Sequence, residues 1–138
     1  MTTTTTNPQT PKIRILPHAR IGQNIGHLTL KIQKIFGGKL HKTGTIAIDD
    51  YIREKFQKED DGGTTGYGLH FIQLRYKDAL QCVLVRDEGH KCSILGTRVM
   101  KFKNVDEPEF KFPKDSFEEE AVKKILMQVE IDPYERQE

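Results

Sequence analysis

The stretch YGLHFIQLRYKDALQCVLVR, Tyr67 to Arg86, decides the fold. Leu69–Tyr76 and Leu80–Arg86 are rich in the aliphatic and aromatic residues that suit a pleated surface. Lys77-Asp78 between them is a tight polar connection, so the two runs read as neighbouring antiparallel strands. In the second run Cys82 and Leu84 fall on one face, Val83 and Val85 on the other. Asp87-Glu88-Gly89-His90 is a further turn. Lys91–Leu95 then returns, Gly96 permits a bulge or bend, and Val99–Phe102 continues. Pro108 and Pro113 bracket an extended Phe110 and Phe112. From Tyr67 to Phe112 the chain therefore reads as antiparallel strands.

Beyond the strands, the spacing predicts a helix over 116–130. Ser116 with Glu119 three residues later makes a capping box. Phe117, Ala121, Val122, Ile125, Leu126 and Val129 form its apolar stripe. Glu118, Glu119 and Glu120 fall in the first turn, where the helix dipole favours negative charge.

Before the strands, Ile13, Ile15 and Leu16 read as a short strand, followed by the glycine-containing loop Gly22–Gly26. Residues 27–36, HLTLKIQKIF, fit two periods. Leu28, Leu30 and Ile32 alternate as in a strand, whereas Leu28, Ile32, Ile35 and Phe36 share one helical face. The glycines on either side favour the helix, with Gly37-Gly38 capping its end. Over 45–58, a capping Thr45 and the fourfold recurrence of Ile48, Ile52 and Phe56 predict another helix. Glu59 to Gly66 is an acidic, glycine-rich loop.

These elements add up to one α+β domain: an antiparallel sheet of four or five strands with two or three helices against one face. The length of 138 residues suits a single domain. Residues 1–11, MTTTTTNPQTP, have no apolar anchor after Met1 and read as a disordered tail. The domain is expected over 12–131, with a solvated end at 132–138. No apolar run approaches the roughly 20 residues that span a bilayer, and no secretory leader is visible. Cys82 and Cys92 do not make a disulfide framework, which suits a cytoplasmic or nuclear protein with reduced thiols.

Charge is the main lead to function. The formal net charge of +2 conceals a division. Residues 1–48 carry seven cations, Lys12, Arg14, Arg20, Lys31, Lys34, Lys39 and Lys42, and no carboxylate; Asp49 is the first acid. The remaining 90 residues hold 15 basic and 20 acidic groups, a net of −5. A carboxylate-free basic surface attracts phosphates by releasing their counterions. Arg14, Arg20, Lys31, Lys34, Lys39 and Lys42 are the candidate contacts. Gly22 and Gly26 are candidates for close approach of backbone N–H groups to a phosphate. Tyr51, Tyr67, Phe71 and Tyr76 could stack on bases, although core packing is the simpler role for Phe71.

Two fragments resemble known families. Ile21-Gly22-Gln23-Asn24-Ile25-Gly26, followed by Leu28, Ile32, Gln33 and Gly37-Gly38-Lys39-Leu40, is similar to the core of a KH domain. There a glycine-flanked loop between two helices lets nucleic-acid backbone approach closely; the glycines here are spaced Gly-x-x-x-Gly, one residue further apart than in that pattern. His27-Leu28-Thr29-Leu30 resembles the His-x-Thr-x motif of two-histidine phosphoesterases, which act on 2′,3′-cyclic phosphates and related RNA ends. That family needs a second copy, and the best candidate, His70-Phe71-Ile72-Gln73, lacks the hydroxyl residue.

Neither a nucleophile with its base nor a converging metal set is visible. Cys82, His90 and Cys92 could meet across a hairpin but lack a fourth ligand. The expectation is a non-catalytic nucleic-acid-binding domain, RNA more than DNA, with no cofactor and no membrane contact. The alternatives are an adaptor subunit that docks a protein partner, and a phosphodiesterase-like enzyme using His27.

Overall fold

The structure is a computed structural model, and it describes residues 13–16, 24–48, 68–87, 92–114 and 119–131. The described chain runs β1 (Ile13–Leu16), α1 (Asn24–Phe36), β2 (Lys39–Ile48), β3 (Gly68–Arg75), β4 (Ala79–Asp87), β5 (Cys92–Lys101), β6 (Asn104–Lys111) and α2 (Glu119–Gln128). The strands form one sheet in chain order, with every neighbouring pair antiparallel. Five strands of eight to ten residues make its body, and the four-residue β1 extends one edge. The α+β class and the antiparallel sheet thus hold. The count rises to six strands because Lys39–Ile48, not expected as a strand, forms β2 between β1 and β3.

The expected placement of the helices on one face is corrected. Each face carries its own core. On one side Leu69, Phe71, Leu80, Cys82, Leu84, Leu95 and Met100 pack with Ala121, Val122, Ile125 and Leu126 of α2. On the other, Ile72, Leu74, Val83 and Val85 pack with Leu28 and Ile32 of α1. The cause lies in β3 and β4, which are apolar at odd and even positions alike. A sheet covered on one side would leave Val83 and Val85 in water, and full burial of such a side chain is worth about 1.5–3 kcal/mol. Both are instead completely buried.

Tight connections set the register. The β3–β4 turn at Lys77-Asp78 closes with Tyr76 N donating to the Ala79 carbonyl at 2.8 Å. In β5 the register steps from Leu84↔Gly96 to Val85↔Ile94, so an extra residue is accommodated beside Gly96. A Cβ at Gly96 would lie 2.9 Å from both Phe112 and Val122, so glycine there lets α2 and Phe112 close onto the sheet. Pro108, which cannot donate to a ladder, sits in β6, the edge strand of the sheet among the described residues.

The helical reading of 27–36 is correct, and α1 starts three residues earlier, at Asn24. Its end is shaped by Gly37 and Gly38, with φ of 78° and 87°, a left-handed conformation that glycine adopts at no steric cost. Gly37 N donates to the Gln33 carbonyl at 2.7 Å, which closes the last turn. The helix expected over 45–58 is corrected at its start: Thr45–Ile48 is the end of β2, paired with β1 on one side and, at Thr45 and Ile46, with β3 on the other. Its remainder, like the tail 1–11, the end 132–138 and Ser116 of the capping box, lies outside the described residues.

Candidate nucleic-acid interface

α1 presents two faces of different character. Leu28, Thr29 and Ile32 are buried against the sheet. Opposite them His27, Lys31 and Lys34 are exposed, and their i, i+4, i+7 spacing makes one stripe along the helix. Leu30 and Ile35 are also in water, at 65% and 58% exposure. Ile35 was expected on the apolar face and is not there; Leu28, Ile32 and Phe36 fill the contact with the sheet without it. The signal for Leu30 was present in the sequence, since on a helical period it falls off the Leu28–Ile32 face.

Lys39 and Lys42 are exposed on β2. Their register partners are Arg75 and Gln73. Gln73 Nε2 donates to the Glu130 carbonyl at 3.1 Å, and the Arg75 guanidinium lies 5.0 Å over the Phe102 ring, which packs in the α2-side core. Lys39 and Lys42 therefore belong to the α2 face. The four lysines form two pairs, one on the outside of α1 and one across the sheet, joined at the corner where Gly37-Gly38 leads from α1 into β2. β1 pairs only with Thr45–Ile48, so it leaves the Lys39–Gly44 part of β2 beyond its reach. Lysines on such an edge also discourage pairing with foreign strands.

Of the other candidates, Arg14 lies in β1, its backbone opposite Ala47. Arg20 and Gly22 lie outside the described residues. Gly26 belongs to the first turn of α1, which corrects its expected place in a loop, and a Cβ there would meet nothing within 4 Å. The helix-flanked glycine loop of the KH resemblance is thus not reproduced at Gly26. Tyr76 is not a free stacking platform either. Its ring lies against Gly38, its hydroxyl donates to the Phe36 carbonyl at 3.0 Å and lies 2.9 Å from Gln81 Oε1, and burial raises its pKa. Phe71 is buried in the core, while Tyr51 and Tyr67 lie outside the described residues.

Among the described residues the enzyme and metal readings find little to build on. His70 is 5% exposed and its Nδ1 lies 2.9 Å from Thr45 Oγ1, whereas His27 is in water on α1, so the two do not share an environment. Cys82 is buried in the α2-side core, and Cys92 packs against the α1-side core. The sheet separates them. Burial pushes the Cys82 thiol up to about 12, against the attraction of the neighbouring Arg98 charge, which removes it as a thiolate nucleophile near neutral pH. Among the described residues no three His, Cys, Asp or Glu side chains are grouped to hold a metal ion. His90 lies outside them. No described helix is long and apolar enough to cross a membrane.

Comparison of the chain with protein-family models, with curated proteins and with solved structures finds no match. Its function has to be read from its own residues.

Proposed function

We propose that this chain is a non-catalytic nucleic-acid-binding module, RNA preferred to DNA, which holds the phosphate backbone with the cations of its first 48 residues. The observation that supports it most is the arrangement of charge. Lys31, Lys34, Lys39 and Lys42 all stand in water, two on each side of the α1–β2 corner, in a stretch without a carboxylate. Phosphate contacts of this kind give affinity with little sequence preference, and they weaken steeply with salt.

The test is direct. Protein purified at low salt is mixed with labelled RNA and DNA strands of one sequence, and binding is followed by anisotropy from 50 to 300 mM salt. The expected result is binding of both, tighter for RNA, that falls linearly on a log–log plot. A chain that binds neither strand at the lowest salt ends this reading.

A second reading is favoured by a specific observation. Leu30 and Ile35 of α1 and Leu40 of β2 are exposed aliphatic side chains, as a surface for a protein partner would present. An adaptor of this kind would bind its partner with little salt dependence.

A further inference from the structure

The outer face of α1 has charge at its centre and apolar groups at its margins. His27, Lys31 and Lys34 form the central stripe. Leu30 and Ile35 flank it on opposite sides, about 140° apart around the helix axis for five residues at 3.6 per turn. This is the reverse of a helix-packing surface, where an apolar seam is central and charges form the rim. A helical partner touching both Leu30 and Ile35 would have to lie on the lysines and strip their water. Duplex nucleic acid fits poorly for another reason: its outside is phosphate and sugar, and its base faces are stacked away from side chains. A single strand offers what the face lacks, with a charged backbone to follow the stripe and splayed bases free to lie against apolar side chains on either side.

We propose that α1 is a single-strand-binding face, with Lys31 and Lys34 on phosphates and Leu30 and Ile35 against bases. This rests on the nucleic-acid reading above and narrows its ligand class. The two aliphatic residues do not contribute to the core, so exchanging them tests binding apart from folding.

The experiment uses the full chain and four probes: a mixed-sequence single-stranded RNA of about ten nucleotides, the same sequence as an RNA duplex, inorganic polyphosphate, and an acidic peptide. Variants are Leu30→Ser with Ile35→Ser, and Lys31→Ala with Lys34→Ala; circular dichroism melts verify that each folds. The single strand is expected to bind at least tenfold more tightly than the duplex. The serine pair should weaken single-strand binding at least fivefold and leave polyphosphate, which has no bases, unchanged. The alanine pair should weaken both and lower the single-strand salt slope by about 1.4, at roughly 0.7 per phosphate contact. Equal affinity for duplex and single strand, or a serine pair that binds RNA normally, overturns the single-strand assignment and leaves nucleic-acid binding standing. Binding of the acidic peptide with no binding of any nucleic acid overturns both.

Discussion

Arg98 Nη1 donates to the carbonyl oxygen of Leu126 at 2.9 Å, so a buried arginine of β5 ties down the last turn of α2. The same nitrogen reaches the Val129 carbonyl at 3.1 Å. On β3, Gln73 Nε2 donates to Glu130. Gln73, Cys82 and Arg98 are successive register partners across β3, β4 and β5, a polar row within the α2-side core. The final carbonyls of a helix have no partner within it, and its negative end favours a cation. Arg98 meets both needs, although burial lowers its pKa.

Arg98→Met should therefore destabilise the domain by about 2–4 kcal/mol, because two helix-end carbonyls lose their donor while remaining buried. Arg98→Lys keeps the charge but not the planar fork, and should recover part of the loss. Urea unfolding followed by circular dichroism measures both. A fully stable Arg98→Met would show that the latch is dispensable.

Each face of the sheet should be separately essential. Ile125 of α2 and Ile32 of α1 are both completely buried, in different cores. An aspartate at either position buries a carboxylate without a partner, at a cost of several kcal/mol, which is much of a small domain's stability. Ile125→Asp and Ile32→Asp should each abolish cooperative unfolding. If Ile32→Asp folds normally, α1 is an appendage rather than a layer.

The sheet was legible because β3 and β4 are runs of strand-forming residues joined by an unambiguous turn, and α2 because its stripe and capping pattern agree. The placement of helices on both faces was also encoded, in the uninterrupted Cys82-Val83-Leu84-Val85, but a continuous apolar run does not say what covers it. Thr45–Ile48 misleads for a different reason. Its residues suit a helix start locally, yet pairing with β1 and β3 satisfies their backbone groups, and Thr45 bonds to His70 instead of capping. The Arg98 latch depends on tertiary register and leaves no local pattern. At the candidate interface, the charge division was plain in the sequence, while the placing of Lys42 on the same face as Lys39, three residues away, depends on the bulge between Leu40 and Lys42, which no composition reveals.

Two glycines should respond to alanine in opposite ways. At Gly26 the helical backbone is open, so Gly26→Ala should stabilise by about 0.5–1 kcal/mol. At Gly38 the backbone has φ of 87°, and a Cβ would lie 2.8 Å from the Tyr76 ring. Gly38→Ala should cost at least about 1–2 kcal/mol, through strain and displacement of that ring. Thermal midpoints of the two variants decide it; a drop for Gly26→Ala would mean that its place in α1 is wrong.

The buried Cys82 thiol predicts alkaline sensitivity. Its folded pKa is raised to about 12, whereas an unfolded thiol ionises near 8.5, at about the ordinary value. Below that pH both states hold the proton and the thiol has no effect on stability. Above it only the unfolded state releases the proton, so stability falls, by up to about 1.4 kcal/mol per pH unit until about pH 12. Denaturation at pH 8 and 10 should show a steeper loss in wild type than in Cys82→Ala. In native protein a thiol reagent should modify Cys92, which is half-buried, well before Cys82. Equal rates would contradict the burial of Cys82.

The division of the lysines allows a test of how a nucleic acid would lie. Lys31 and Lys34 face outward from α1, whereas Lys39 and Lys42 stand on the α2 side of β2, and all four are exposed. A ligand that covers α1 alone touches one pair; a ligand that turns the α1–β2 corner touches both. Each phosphate contact adds about 0.7 to the salt slope for a single strand, so each pair is worth about 1.4. Lys31→Ala with Lys34→Ala should remove that amount for oligonucleotides of every length. Lys39→Ala with Lys42→Ala should have no effect on the slope for a strand of about five nucleotides and should remove a similar amount for one of about fifteen, which is long enough to turn the corner. The measurement is the slope of log affinity against log salt for both pairs and both lengths. A β2 pair that matters for the short strand as much as the α1 pair would place the phosphates on the sheet edge, and α1 would lose its role as the primary contact.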